Sequence, residues 1–176
     1  MTTSSADASV RRLTSRGKAT KLRIVEVADQ LMYERGVSAT TLADVRIASG
    51  TSKSQLYQHF ASKAALVGEV IEVRAEKVLA QQRRRLEKVD SIRGLELWRD
   101  ELVERNAIRD GAFGCPLGSM ANEIADQDDE GRRRIAAHFD EWLQLLTAAL
   151  DRLKSHGVIS ADADSRALDD MGLRSS

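Results

Sequence analysis

The chain has 176 residues, one cysteine, one proline and seven aromatic side chains (two Trp, two Tyr and three Phe), with 42% apolar and 31% charged residues. That length buries a core without metal or disulfide, and the lone Cys115 has no internal partner for a bridge, which fits a reducing cytoplasm. No apolar run approaches the roughly 18 residues of a spanning helix, and the Ser/Thr/Ala-rich start lacks the greasy centre of a secretory signal, so membrane and secreted classes are excluded. Scarce Pro and aromatic residues, with abundant Ala, Leu, Arg and Glu, predict an all-α chain.

The formal net charge of zero conceals a polarity. Residues 1–63 carry ten Lys/Arg against five Asp/Glu, a balance of +5, and residues 64–176 carry seventeen against twenty-two, a balance of −5. Arg11, Arg12, Arg16, Lys18, Lys21 and Arg23 face only Asp7, so residues 1–19 read as a flexible basic arm suited to a polyanion.

Ile24, Ala28, Leu31 and Met32 predict a first helix from about Thr20 to Arg35, stopped by Gly36. A second begins at Thr41, capped with Asp44, and turns Leu42, Val45 and Ala48 inward. Gly50 breaks the chain, and Ser52 with Gln55 starts a third whose core face holds Leu56 and Phe60. A longer helix spans about Lys63 to Val89, its apolar stripe fading into a solvated run at Arg83–Arg85. Ser91–Arg109 is a further helix, followed by a glycine-rich break over Asp110–Gly118 and a short helix from Ser119 to about Ala125. The last strong helix runs from about Asp129 to His156, where Ile135, Phe139, Trp142, Leu143, Leu146, Ala149, Leu150 and Leu153 form one nearly heptad stripe. Asp126, Asp128, Asp129 and Glu130 read as an acidic helix start suited to the positive end of its dipole, and the tail after Gly157 supports no more than a short helix.

The segment Thr41–Lys63 has the spacing of a helix-turn-helix. Gly50 permits the positive backbone angle of the turn, while Val45 and Leu56 pack the two helices together. Thr41, Lys53, Ser54, Gln55, Tyr57, Gln58 and His59 are all hydrogen-bonding residues on the outward side. Lys53 can donate to guanine and Gln55 can bracket adenine, whereas Tyr57, His59 and Lys63 reach phosphate oxygens and set the docking register.

Glu34-Arg35-Gly36, Ala39-Thr40-Thr41-Leu42, Asp44-Val45, Ser49-Gly50-Thr51-Ser52-Lys53, Leu56-Tyr57-Gln58-His59-Phe60, Ser62-Lys63 and Leu66 resemble the DNA-binding domain of TetR-family transcriptional regulators over residues 20–67. The family places Ala where Arg46 stands, commonly Ala at Ser49 and Val at Thr51. The resemblance implies a helix-turn-helix domain at 20–66 and a helical effector-binding and dimerisation domain at 67–176. It also implies a homodimeric repressor, released from a palindromic double-stranded DNA operator by a small-molecule effector. The Gly114-Cys115-Pro116-Leu117-Gly118 run followed by Asn122-Glu123 resembles one subgroup of that family.

Family members continue beyond a position like Gly157 into two further helices that pair between subunits, and those are mostly missing here. Either the 129–156 stripe substitutes as the interface, or the chain is a truncated form with a weakened dimer; the alternative function is a truncated helical ligand-binding protein that does not regulate through DNA.

Trp98, Cys115, Met120, Phe139 and Trp142 are the candidate lining of the effector pocket, with a buried packing core as the alternative. Cys115 near a helix start has the setting of a redox or electrophile sensor, or of a small packing residue. No cofactor is expected, the three histidines and one cysteine lack metal-site spacing, and no nucleophile–base pair or phosphate loop points to an enzyme.

Overall fold

The computed structural model describes residues 14–107, 115–124 and 128–160. Seven α-helices and no strands occur among them: α1 (Ser15–Arg35), α2 (Leu42–Ser49), α3 (Lys53–His59), α4 (Lys63–Leu86), α5 (Ile92–Ala107), α6 (Pro116–Ile124) and α7 (Asp129–Ser155). The order and type of elements match the sequence expectation.

Several boundaries differ, each for a local reason. α1 starts five residues before Thr20, because the Thr14 hydroxyl accepts from Gly17 N and caps a turn that apolar periodicity cannot detect. Residues 15–19 are therefore helical, and the rest of the expected arm, apart from Thr14, lies outside the described residues. α6 begins at Pro116, whose fixed φ and missing N–H suit the first helical position, so the expected glycine-rich break is shorter. Asp110–Gly114, Ala125, Asp126 and the tail from residue 161 lie outside the described residues. α4 ends at Leu86, where the chain turns to bury Val89.

α4 is the central strut. Its buried positions Leu66, Val67, Val70, Ile71, Arg74, Ala75, Leu79, Gln82 and Leu86 recur at three- and four-residue spacing; α1 and α6 pack toward its first half, α5 toward its end, and α7 along most of its length. The resulting core has two parts. One joins Ile24, Ala28, Val45, Leu56, Phe60 and Val70 to Leu117, Met120 and Ile124 of α6 and Ile135 of α7. The second joins Leu86, Val89, Trp98, Leu146, Ala149 and Leu153. The first cluster runs across residues 66–67, so α6 shares one core with the three N-terminal helices and packs on α1.

The α7 stripe is split. Ile135, Leu146, Ala149 and Leu153 are buried, whereas Phe139 and Leu143 are exposed, because the stripe is wider than the neighbouring helices cover. The arginine run is also more engaged than a solvated face. Arg83 pairs with Glu141 of α7 at 2.8 Å and Arg85 pairs with Glu101 of α5, while Arg84 is exposed. Asp128 caps α7 by accepting from Gly131 N at 2.9 Å. His138 faces Glu72 at 3.2 Å.

Candidate nucleic-acid interface

The α2–turn–α3 unit is built from two reciprocal caps. At α2, the Thr41 hydroxyl accepts from Asp44 N and the Asp44 carboxylate accepts from Thr41 N at 2.9 Å. Bonds from the Thr41 hydroxyl and amide, with Arg35 nearby, hold the Asp44 carboxyl below its ordinary value of 3.8. At α3, the Ser52 hydroxyl accepts from Gln55 N and the Gln55 carboxamide oxygen accepts from Ser52 N at 2.9 Å. Gly50 sits between them at φ +63°, ψ +29°, a left-handed conformation that closes α2.

The turn is also pinned from below. Val45 and Leu56 are buried against each other's core, as the sequence predicts. Ala48, expected inward, is exposed, and Ser49 takes the buried place; its hydroxyl meets the Thr51 hydroxyl at 2.9 Å inside the turn. A short polar pair thus fills the buried side of the turn, and it leaves neither oxygen unpartnered. Arg23 of α1 donates to Ser49 O at 3.1 Å, tying the first helix to the turn.

With the inward side fixed, α3 presents Lys53, Ser54, Gln55, Tyr57 and Gln58 to solvent, and His59 is half-buried with its ring tilted against Phe60. An α-helix about 10–12 Å across fits a major groove about 12 Å wide, and the seven residues of α3 at 1.5 Å rise extend about 10 Å along it. Thr41 is exposed at the start of α2. Two of the expected roles change in detail. The Gln55 carboxamide oxygen is engaged in its cap, so bidentate reading of adenine would require breaking that bond, and its NH₂ is the group left for DNA. Lys63 donates to Ser38 O at 3.2 Å, which fixes it beside the α1–α2 turn with two further N–H groups for phosphate. Sequence reasoning missed Ile47, an apolar side chain 68% exposed on α2, and it named Glu123 of α6 without foreseeing that its carboxylate accepts from Ser38 N at 3.1 Å.

The five side chains expected to line an effector pocket do not form one group. Trp98, Cys115 and Trp142 share a cavity of about 60 Å³ between α4, α5, α6 and α7. Met120 is instead buried in the cluster beneath α1 and α4, because its side of α6 faces the N-terminal helices. Phe139 is 36% exposed and stacks on Trp142 with ring centroids 6.1 Å apart. Among the described residues no group of three or more His, Cys, Asp or Glu side chains could hold a metal ion, and no helix is long and apolar enough to cross a membrane.

Comparison with known proteins bears on both halves. The family described as bacterial regulatory proteins, tetR family, matches residues 24–70, and the tetracyclin repressor-like C-terminal domain matches residues 95–170. TtgR, an HTH-type transcriptional regulator of Pseudomonas putida, is 41% identical over 58 residues, covering 33% of this chain and 28% of TtgR. An uncharacterized HTH-type transcriptional regulator of Mycobacterium tuberculosis is 30% identical over 132 residues, covering 70% of this chain and 65% of that protein. A TetR-family regulator from Agrobacterium tumefaciens superposes with a TM-score of 0.71 at 20% identity, covering 88% of this chain and 82% of that one. With its helix-turn-helix and its C-terminal helical domain each matched in chain order, this chain belongs to the TetR family of bacterial regulatory proteins.

Proposed function

We propose that the protein is a DNA-binding transcriptional regulator, a repressor that leaves a palindromic operator when a small molecule binds its C-terminal helical domain. The observation that carries this reading is α3: a helix capped at its start, anchored through Leu56, and offering five exposed hydrogen-bonding side chains. Thr41, Lys53, Ser54, Gln55, Tyr57, Gln58, His59 and Lys63 are the contact set, with residues 20–66 as the reading head and 67–176 as the effector and dimerisation part. Operators are double-stranded DNA in the cytoplasm, and two-fold symmetry of a homodimer matches a palindrome.

The exposed Phe139 and Leu143 of α7 support a dimer contact on that helix. An effector coupling of roughly 1–3 kcal/mol would change operator affinity about 5- to 150-fold. The Gly-Cys-Pro-Leu-Gly element supports membership of one subgroup, and Cys115, partly exposed with a free thiol, is the residue whose alkylation would report on redox sensing. Selection from a random double-stranded DNA library tests the function. Enrichment of an inverted repeat supports it, and recovery of unrelated sequences overturns it.

A further inference from the structure

A concavity of about 350 Å³ between the starts of α4 and α7 is walled by Ala64, Ala65 and Gly68, and its charges are already committed: Glu69 to Lys21, Arg134 to Glu130 and Glu72, and Asp128 to the α7 cap. The cavity holding Trp98 and Trp142 is the more enclosed, but at about 60 Å³ it is smaller than the roughly 150 Å³ that admits a benzene ring. A third cavity, of about 230 Å³, opens between α1, α4, α5 and Pro116, and it has room for a ring or short branched chain with one polar group.

Its lining is cationic. Among the described residues of the lining, Arg74, Lys77 and Arg105 stand against one carboxylate, Asp29. Arg74 is 3% exposed; its Nε donates to Asp29 Oδ1 at 2.7 Å, Nη2 to Asp29 O at 2.9 Å and Nη1 to Pro116 O at 2.8 Å. Lys77 shares the same carboxylate at 3.4 Å. Arg105 and the amide of Gln81 make no hydrogen bond or ion pair with other described residues, although both border the cavity. The Tyr33 ring, Val78 and Pro116 supply apolar wall, with the Arg74 guanidinium 5.6 Å from the Tyr33 ring centre.

We propose that this cavity binds a compact organic acid, its carboxylate held by Arg105 and Lys77 and its apolar body against Tyr33, Val78 and Pro116. A guanidinium fork matches a carboxylate through two parallel hydrogen bonds, and a neutral isostere would leave two positive charges of the lining without a counter-ion. The site also has a regulatory consequence, which rests on the reading of the protein as an effector-controlled regulator. Asp29 belongs to α1 and its cationic partners to α4. A second carboxylate competes with Asp29 for Lys77 and so loosens the tie between the reading head and the central helix.

The binding is testable without DNA. The full chain is melted with benzoate or isovalerate, and with benzamide or isovaleramide as uncharged controls, at constant ionic strength. The expected result is a Tm that rises by about 3–6 °C for each tenfold of free acid beyond saturation, with no rise from the amides. Lys77→Gln/Arg105→Gln abolishes the rise, and Arg105→Lys, which keeps the charge, retains part of it. Equal shifts from acids and amides, an undiminished response in the double variant, or no shift from any acid would each overturn the proposal. Failure of the protein to select a DNA sequence would overturn the regulator reading and leave the Tm result standing.

Discussion

Arg74 is a buried cation that holds α1, α4 and α6 together, and its removal is the sharpest test of that packing. In Arg74→Met the long side chain stays but the charge goes. Pro116 O keeps a bond from the Ser119 hydroxyl at 3.1 Å, so the main loss falls on Asp29, whose carboxylate is 18% exposed and retains only Lys77 at 3.4 Å. Breaking a buried pair by deleting one partner costs about 3–5 kcal/mol, and the remaining lysine places this case near 3. At about 2–4 °C per kcal/mol for a chain of this size, Tm falls by about 6–12 °C. Asp29→Asn costs a similar amount, because it strands a guanidinium that is 3% exposed. The double variant removes both charges together and melts no lower than either single one. Thermal and urea unfolding followed by far-ultraviolet circular dichroism measures all three. A loss of under ~0.5 kcal/mol in Arg74→Met, or strictly additive losses in the double variant, would refute a stabilising buried pair.

The two positive-φ glycines of the head respond differently to alanine. Gly50 has no atom within 4 Å of the added Cβ, so Gly50→Ala costs only the left-handed backbone, about 1–2 kcal/mol, and Gly50→Asn less. Gly36 lies at φ +91°, ψ +156°, where the added Cβ also meets the Glu123 carboxylate at 2.8 Å, so Gly36→Ala lowers Tm further. Equal melting of the two would contradict this ordering. Glu123→Ala frees the Ser38 amide, and hydrogen exchange should accelerate there while the Val45 amide, bonded to Thr41 O, stays protected. The Asp44 carboxyl is held below 3.8 by Thr41, so its contribution is complete above that value and disappears as pH falls through the lower folded-state pKa. Urea midpoints from neutral pH to about pH 3 should therefore decline less steeply in Asp44→Asn than in the parent, and identical slopes would exclude the effect.

Local rules made the reading head legible. Thr41, Ser52 and Gly50 announce their caps and turn through chemistry that acts within four residues, and Val45, Leu56 and Phe60 follow helical period into the core. Long-range packing was not legible. Nothing local says that Met120 turns toward α1 and α4 instead of a cavity, or that α7 leaves Phe139 and Leu143 uncovered. Arg74 did leave a trace. It stands three residues after Ile71 and four after Val70, in the buried register of α4, where a lone cation signals a partner on another helix. Its partner Asp29 lies 45 residues away, and only the folded chain identifies it.

The central claim is that α3 reads base sequence in double-stranded DNA. Its most direct test is a fluorescence anisotropy titration of the selected inverted repeat against a shuffled duplex of equal length across a salt series, with the parent and Lys53→Ala. The account predicts at least about 10³-fold preference for the repeat, and an affinity that falls steeply with salt. Lys53→Ala should lose about 1–3 kcal/mol on the repeat and little on the shuffled duplex. Equal affinity for both duplexes, unchanged by the Lys53 substitution, would contradict it.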